Sequence, residues 1–306
     1  QQNSNSKIDQ SFVEFSKNIY LNKLVQKDEG EDKDTGINKD SFIMLLGKPG
    51  GHKLAIGMNY IHAKGKSESA LIINLGQPIK YDAVADKSEW WGKGIKANSN
   101  TNLKWNKNQK VSIDRYCPGL GAREHKNSIV SEDSFGSVFV LNFHAGFLLP
   151  EEFLQIVKIF IEDIKEKGNE FITRVLFNST AHLPGRFPLL DKNPLLLHAL
   201  AKILKQKQIG FMIIGVEDMG QDEKLKGLIS IADLKVTVHH STDERLPQKF
   251  RKILAKRMID SESNLRIISS DNVTGKDYSK KYKLFKVVTE KGESSFKISE
   301  ITDSSS

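Results

Sequence analysis

Short apolar runs alternate with segments of helical periodicity through the middle of the chain. The apolar runs cover residues 42–46, 70–75, 137–143, 174–177, 211–216 and 234–238. Unbroken runs of this length, bounded by turn residues, are typical of strands buried on both faces. Between them, residues 150–167 and 193–207 place apolar side chains on one helical face. This alternation predicts an α/β protein with a mostly parallel sheet that is covered by helices on both faces.

The two ends of the chain have different patterns. Residues 11–27 carry apolar positions at helical spacing, which predicts an amphipathic helix, and an acidic, glycine-containing loop follows. Beyond Pro247 the sequence predicts a basic helix at 248–258, and then short strands. The predicted strands are 265–268, 282–288 and 295–298. We therefore expect a helix and flexible loop at 1–40, a core at 41–246, and a small strand-rich C-terminal extension at 247–306.

A polar segment rich in Asn and Lys, at about residues 77–110, interrupts the core pattern and carries Trp90, Trp91 and Trp105. So long an excursion from a compact sheet is an insertion. One interpretation is that the three indoles stack on nucleic-acid bases while nearby lysines contact phosphates. The other is that they pack the insertion onto the core or a neighbouring subunit. The packing interpretation is favoured, because Trp serves as readily for packing as for stacking.

The charge balance is consistent with that preference. The chain has a net charge of +8, but its cations are mostly Lys, with eight Arg among 46, and they are interspersed with 38 acidic residues. Arg is the residue that makes bidentate contacts with phosphate and guanine, so a coat rich in Lys and mixed with acids is typical of a solvated surface. Nucleic-acid binding stays open as an alternative that is not favoured.

Two further features restrict the class of protein. The single cysteine, Cys117, cannot form an internal disulfide, which fits a reducing compartment. No run approaches the roughly 18 apolar residues that a membrane-spanning helix needs. We expect a cytoplasmic protein.

The segment after the first apolar run has the layout of a phosphate-binding P-loop. Gly47 begins a glycine-rich turn that contains Gly50 and Gly51, and His52, Lys53 and Leu54 follow at the start of a predicted helix. The P-loop pattern requires Gly before the Lys and a hydroxyl residue after it. The spacing is kept here, whereas His52 replaces the Gly and Leu54 replaces Ser or Thr. His239 and His240, at a strand end, lack an identifiable third metal ligand.

The run Arg174-Val175-Leu176-Phe177-Asn178-Ser179-Thr180 resembles the Walker B strand of RecA-fold ATPases, particularly their KaiC-like branch. The segments before and after this run are similar to the same branch in order and separation. Together with the P-loop layout, the resemblance covers about residues 40–240. It implies a RecA-like core that would bind ATP, and rings or filaments as the usual form of assembly.

The departures from this family's pattern concern the metal and the attacking water. Leu54 offers no oxygen to Mg²⁺, and Asn178 offers an oxygen without charge where the family has Asp. His52 restricts the backbone where it must approach phosphate. The residues after the second strand, Leu75-Gly76-Gln77, supply no acid to act as a base.

These departures favour a degenerate P-loop ATPase that regulates or scaffolds through protein–protein interaction or self-association, with little or no hydrolysis. No cofactor is required in this interpretation, although Lys53 would allow residual binding of ATP or another phosphate. The alternatives are a nucleotide-binding ATPase with an atypical P-loop and a RecA-like nucleic-acid-binding protein.

Overall fold

The protein is described here from a computed structural model. The structure describes residues 12–16, 19–22, 24–25, 36–49, 53–64, 68–76, 127–129, 138–143, 145–168, 171–217, 222–240, 243–259, 265–272, 281–289 and 296–300. The insertion at 77–110 lies outside the described residues, together with Trp90, Trp91 and Trp105.

A ten-stranded sheet forms the centre of the molecule, and a two-stranded ribbon lies apart from it. The strands are β1 (Phe12–Val13), β2 (Ile37–Asn38), β3 (Phe42–Gly47), β4 (Ser69–Asn74), β5 (Asn127–Ile129), β6 (Val138–Asn142), β7 (Ile172–Asn178), β8 (Gly210–Ile214), β9 (Leu234–His239), β10 (Leu265–Asn272), β11 (Lys281–Thr289) and β12 (Phe296–Glu300). Their order in the large sheet is β12-β11-β10-β9-β3-β8-β7-β4-β6-β5. The six strands from β9 to β6 pair in parallel, whereas β5 and β10 to β12 pair antiparallel.

The helices of the described residues are α1 (Ile19–Asn22), α2 (Lys53–His62), α3 (Pro150–Gly168), α4 (Leu183–Arg186), α5 (Pro188–Asp191), α6 (Leu196–Gln206), α7 (Asp222–Ile231) and α8 (Gln248–Ile259). Those from α2 to α7 connect parallel strands. Parallel neighbours need such crossovers, so the predicted α/β class with a mostly parallel sheet is confirmed. The short helices α4 and α5, and also α7, are elements that the apolar pattern did not predict.

Both faces of the parallel sheet are covered. On one face, Phe42, Met44 and Leu46 of β3 belong to a cluster that contains residues of α3 and α6. On the opposite face, Ile43 and Leu45 belong to a second cluster that contains residues of α2. Successive side chains of a strand point to opposite faces, so a strand between two helical layers must be apolar at every position.

The predicted helix at 11–27 is wrong. The described part of this segment contains the short strand β1 and the four-residue helix α1. The amide oxygen of Asn22 accepts from the Ser16 N–H, and its amide nitrogen donates to the Ser16 carbonyl. The buried guanidinium of Arg174 donates to the carbonyls of Glu14 and Phe15. These side-chain hydrogen bonds, local from Asn22 and long-range from Arg174, satisfy backbone groups that a continuous helix would pair internally.

The C-terminal strands β10, β11 and β12 continue the large sheet beyond β9. α8 lies against β10, where Leu254 packs with Ile267 in a small separate cluster. The basic helix and three strands expected after residue 247 are therefore present, with bounds that differ by at most four residues from those predicted. The division of the chain into parts at 40 and 246 stays a prediction.

Candidate phosphate-binding site

The strands β3, β4, β7, β8 and β9 all end at the same edge of the sheet, because they run in parallel. In α/β proteins this carboxyl edge is where ligands bind. Gly47, the last residue of β3, has φ of 149°, and a Cβ atom there would lie 2.6 Å from the Val238 carbonyl oxygen. The backbone therefore requires Gly at the start of the loop.

The Lys53 side chain folds back onto the loop that precedes it. Its ammonium donates to the Gly47 carbonyl at 2.9 Å and to the Lys48 carbonyl at 2.6 Å. The residue is buried, with 6% of its surface exposed. Burial lowers the pKa of Lys53 to about 8, against an opposite effect of the Glu217 carboxylate. The Lys53 ammonium is thus a desolvated cation that is bound by two carbonyl oxygens at the start of the loop.

Leu54, the next residue of α2, is half-buried and packs against the cluster on the α2 face. It has no side-chain oxygen, so this position offers nothing to a hard cation. The other predicted residues of the loop, Gly50, Gly51 and His52, lie outside the described residues.

Asn178 ends β7 beside the end of β4, and its side chain bonds to the amide of Asn74. Its side-chain nitrogen donates to the Asn74 amide oxygen at 3.0 Å. The same oxygen accepts from the Gly76 N–H at 3.3 Å. Asn74 is buried and Asn178 is half-buried. The ends of β4 and β7 therefore hold two neutral amides that bond to each other.

His182 lies next to this amide pair. Its ring fills the space over Gly76, where an added Cβ atom would lie 2.8 Å from Nε2. Burial lowers the pKa of His182, and the charge of Arg186 acts in the same direction. The imidazole is consequently favoured in its neutral form, which adds no charge to this side of the edge.

After β8 and β9, the two strands that flank β3, the edge carries an ionic network that the sequence analysis missed. The Arg245 guanidinium donates to both Glu217 carboxylate oxygens at 2.7 Å and to Asp243 at 2.7 and 2.9 Å. Asp243 also bonds to Nδ1 of His239 at 2.7 Å, and the opposite ring nitrogen of His239 lies 2.7 Å from the Ser269 hydroxyl. The network joins Glu217, which follows β8, to the end of β9 and to Ser269 in the middle of β10.

Two inner members of this network, Asp243 and Arg245, have strongly shifted pKa values. Burial alone would raise the pKa of Asp243, but hydrogen bonds from Arg245 and His239 outweigh it and hold the pKa well below its usual range. Hydrogen bonds to Asp243 and Glu217 raise the pKa of Arg245. The only sequence feature that could have identified Glu217 as a site residue is its position just after a predicted strand. Its pairing with Arg245 could not be predicted, because it depends on the fold.

Within the described ranges, no group of three His, Cys, Asp or Glu side chains is arranged to hold a metal ion. His239 in particular is committed to Asp243 and Ser269. Of the helices that the structure describes, none has the length and apolar character needed to cross a membrane.

No family model and no curated protein matches the sequence. Among solved structures, the chain is similar to a KaiC-like protein from the hyperthermophilic archaeon Pyrococcus horikoshii. The identity is 12%, the TM-score is 0.50, and the match covers 90% of this chain and 97% of that chain. It is also similar to a solved ATPase domain with 8% identity and a TM-score of 0.46, over 83% of this chain and 84% of that one. The chain therefore has the RecA-like α/β fold of P-loop ATPases, and it shares this fold with a KaiC-like protein.

Proposed function

We propose that this protein is a cytoplasmic RecA-like module that does not hydrolyse ATP and acts through protein–protein interaction, by self-association or with a protein partner. The observation that carries the proposal is the pair of amides at the ends of β4 and β7. Asn178 and Asn74 are bonded to each other at 3.0 Å, at the strand ends where the KaiC-like resemblance would place an acidic metal ligand and a base.

The energetics of metal binding support this proposal. Mg²⁺ needs hard oxygen ligands, and carboxylates supply charge as well as oxygen. Leu54 offers no oxygen, and the Asn178 amide nitrogen donates to the Asn74 amide oxygen. Among the described residues, Glu217 is the carboxylate that acts electrostatically on Lys53, and both of its oxygens accept from Arg245. A metal at this edge would have to displace a bidentate ion pair.

Exposed apolar side chains support the protein-interaction part. Phe147 is 78% exposed and Leu149 is 46% exposed, and both lie in the segment between β6 and α3. Leu195, before α6, is 66% exposed. Large apolar side chains exposed together on one segment are more typical of interaction surfaces than of a solvated face.

Steady-state ATP hydrolysis with Mg²⁺ tests the catalytic part. We expect the wild-type rate to equal that of Lys53→Ala, because the groups that would hold the metal and activate water are replaced. A wild-type rate that exceeds background and is abolished by Lys53→Ala would overturn the proposal.

Sedimentation over a range of concentrations, together with capture of bound proteins on the immobilised chain, tests the interaction part. We expect a concentration-dependent oligomer or a stoichiometric partner, and weaker association in Phe147→Ser. The matched control is Lys158→Ser on the exposed side of α3. A chain that stays monomeric and captures no partner contradicts this part, whatever the hydrolysis assay gives.

A further inference from the structure

Three exposed apolar side chains lie at the carboxyl edge of the sheet, where the helices α3 and α6 begin. Phe147 and Leu149 precede α3, and Leu195 immediately precedes α6. The two helices contact each other and contribute to the same apolar cluster on one face of the sheet. Packed helices lie about 8–10 Å apart, so the residues that precede them are neighbours. Phe147, Leu149 and Leu195 are called the edge surface below.

Hydrogen bonds fix the backbone of the segment that carries Phe147 and Leu149. The Gly146 N–H donates to the Arg186 carbonyl at 2.9 Å, which ties the segment to α4. The Leu149 N–H donates to the Glu152 carboxylate at 2.9 Å. An apolar surface that is held in place before association loses less conformational entropy when it binds. The edge surface is therefore pre-organised for a partner.

Opposite charges lie at the two ends of the edge surface. Glu151, in the first turn of α3, is exposed, and so is Lys192, three residues before Leu195. Asp191 is bonded to Lys224 of α7 at 2.9 Å, so Lys192 lies toward α7. The helix α6 lies between α3 and α7, because it connects β7 to β8, whereas α3 leads into β7 and α7 leaves β8. The acid and the base are thus separated by the apolar side chains.

The charges of Glu151 and Lys192 are available to a partner. Within the part of the chain that the structure describes, neither side chain forms an ion pair. Their charged neighbours are committed, since Glu152 accepts a backbone N–H at the start of α3 and Lys224 is bonded to Asp191. A matching surface must carry the same two charges in the reverse order. A second copy of this surface, related by a two-fold axis, does so.

We propose that the edge surface binds the same surface of a second copy of the chain in a two-fold symmetric dimer. The apolar side chains of both copies, Phe147, Leu149 and Leu195, would form the centre of the interface. Glu151 of each copy would face Lys192 of the other at the rim. Such a dimer closes on itself, whereas rings and filaments join two different surfaces of each copy. The inference rests on the proposed function, because it names a second copy as the protein partner.

Analytical ultracentrifugation of the full chain over a range of concentrations tests the dimer. We expect the wild type to form a dimer and no larger species. Glu151→Lys and Lys192→Glu should each weaken the dimer at least about tenfold, because every dimer then contains two like-charge contacts. An equimolar mixture of the two variants should form a mixed dimer within about threefold of the wild-type affinity, since both contacts again join opposite charges. The mixed dimer also shows that both variants fold.

The matched controls reverse charges on the same two helices but outside the edge surface. Glu166→Lys changes an exposed acid of α3 that lies about 22 Å along the helix from Glu151. Lys202→Glu changes an exposed cation of α6. Both controls should dimerise like the wild type. If Glu151→Lys does not fold, judged by circular dichroism, then Glu151→Gln replaces it, with an expected loss of about threefold.

Four results would each overturn the dimer. They are a wild type that stays monomeric, species larger than the dimer, single charge reversals that match their controls, and a mixture that associates as weakly as either variant alone. The failure of the dimer can be told from the failure of the proposed function. A monomeric chain that captures a different protein contradicts only the dimer, whereas a monomeric chain that captures no partner contradicts both.

Discussion

The carboxyl edge of the sheet has two sides with opposite chemistry. On the β4–β7 side, Asn74 and Asn178 are neutral amides joined by a hydrogen bond. On the β9–β10 side, Asp243 and Arg245 are ionised and form a continuous network. The backbone presents parallel strand ends in the same manner on both sides. The contrast shows that side chains at strand ends, and not the fold, determine what such an edge can bind.

The largest expected effect comes from breaking the charged side. Asp243→Ala leaves Arg245 and His239 without the carboxylate to which both are bonded. We expect the free energy of unfolding to fall by about 3 kcal/mol, as for removal of one member of a buried ionic network. Chemical denaturation followed by circular dichroism measures this loss.

The control for that substitution is its neighbour, Glu244→Ala. Glu244 is exposed, so its removal should change stability by no more than about 0.5 kcal/mol. Equal losses in the two variants would mean that the network contributes nothing, and the contrast between the two sides would then be one of composition alone.

The neutral side should reject a charge. Asn178→Asp removes the amide donor and places a carboxylate about where Nδ2 now lies 3.0 Å from the Asn74 oxygen. We expect a loss of about 2 kcal/mol from the lost hydrogen bond and the repulsion between oxygens. Thermal and chemical denaturation in EDTA measure it.

Asn193→Asp is the matched isosteric control. The Asn193 side-chain oxygen accepts from the Leu195 N–H, and a carboxylate keeps that bond, so little change is expected. If Asn178→Asp is as stable as this control, the β4–β7 side tolerates a metal-binding carboxylate. The proposed chemical difference between the two sides of the edge would then be wrong.

The smallest effect concerns Lys53 and has a definite pH window. Burial lowers the pKa of Lys53 in the folded state to about 8 from its usual value of 10.5. Between these two values the unfolded chain binds more protons, so the wild type gains stability as pH rises through the window. Because two carbonyls bond to the ammonium and offset part of the burial cost, we expect a gain of about 1 kcal/mol relative to Lys53→Met.

Paired denaturation curves of the wild type and Lys53→Met at pH 7.5 and pH 10 measure this difference. The double comparison removes the contribution of other groups that titrate in the same range. A difference that is constant with pH, or that shrinks as pH rises, contradicts the desolvated state of the ammonium.

The strands of the core could be predicted because burial on both faces imposes an unbroken apolar run. The predicted run at 42–46 became β3 (Phe42–Gly47), and the run at 70–75 became β4 (Ser69–Asn74). α3 could also be predicted from the sequence, since one face of the helix packs on the sheet and the other is solvated. The prediction from sequence failed where long-range contacts replaced local ones. The example is the predicted helix at 11–27, where Arg174 donates hydrogen bonds to backbone carbonyls.

The candidate site could be predicted only in part, for the same reason. Lys53 and Leu54 follow from local spacing after β3, and Asn178 follows from its place at a strand end. The partner of Asn178 is 104 residues away, and the partner of Glu217 is 28 residues away. No periodicity indicates which strand ends become neighbours, because the order of strands in the sheet determines it.

The amino-acid sequence by itself determined the α/β class, the positions of the core strands and the chemical types at the loop after β3. Each of these depends on local patterning or on burial, which a sequence records directly. Only the tertiary structure decided that Asn178 bonds to Asn74 and that Arg245 joins Glu217 to Asp243. These pairings arise from strand order and register, which bring residues distant in sequence to one edge.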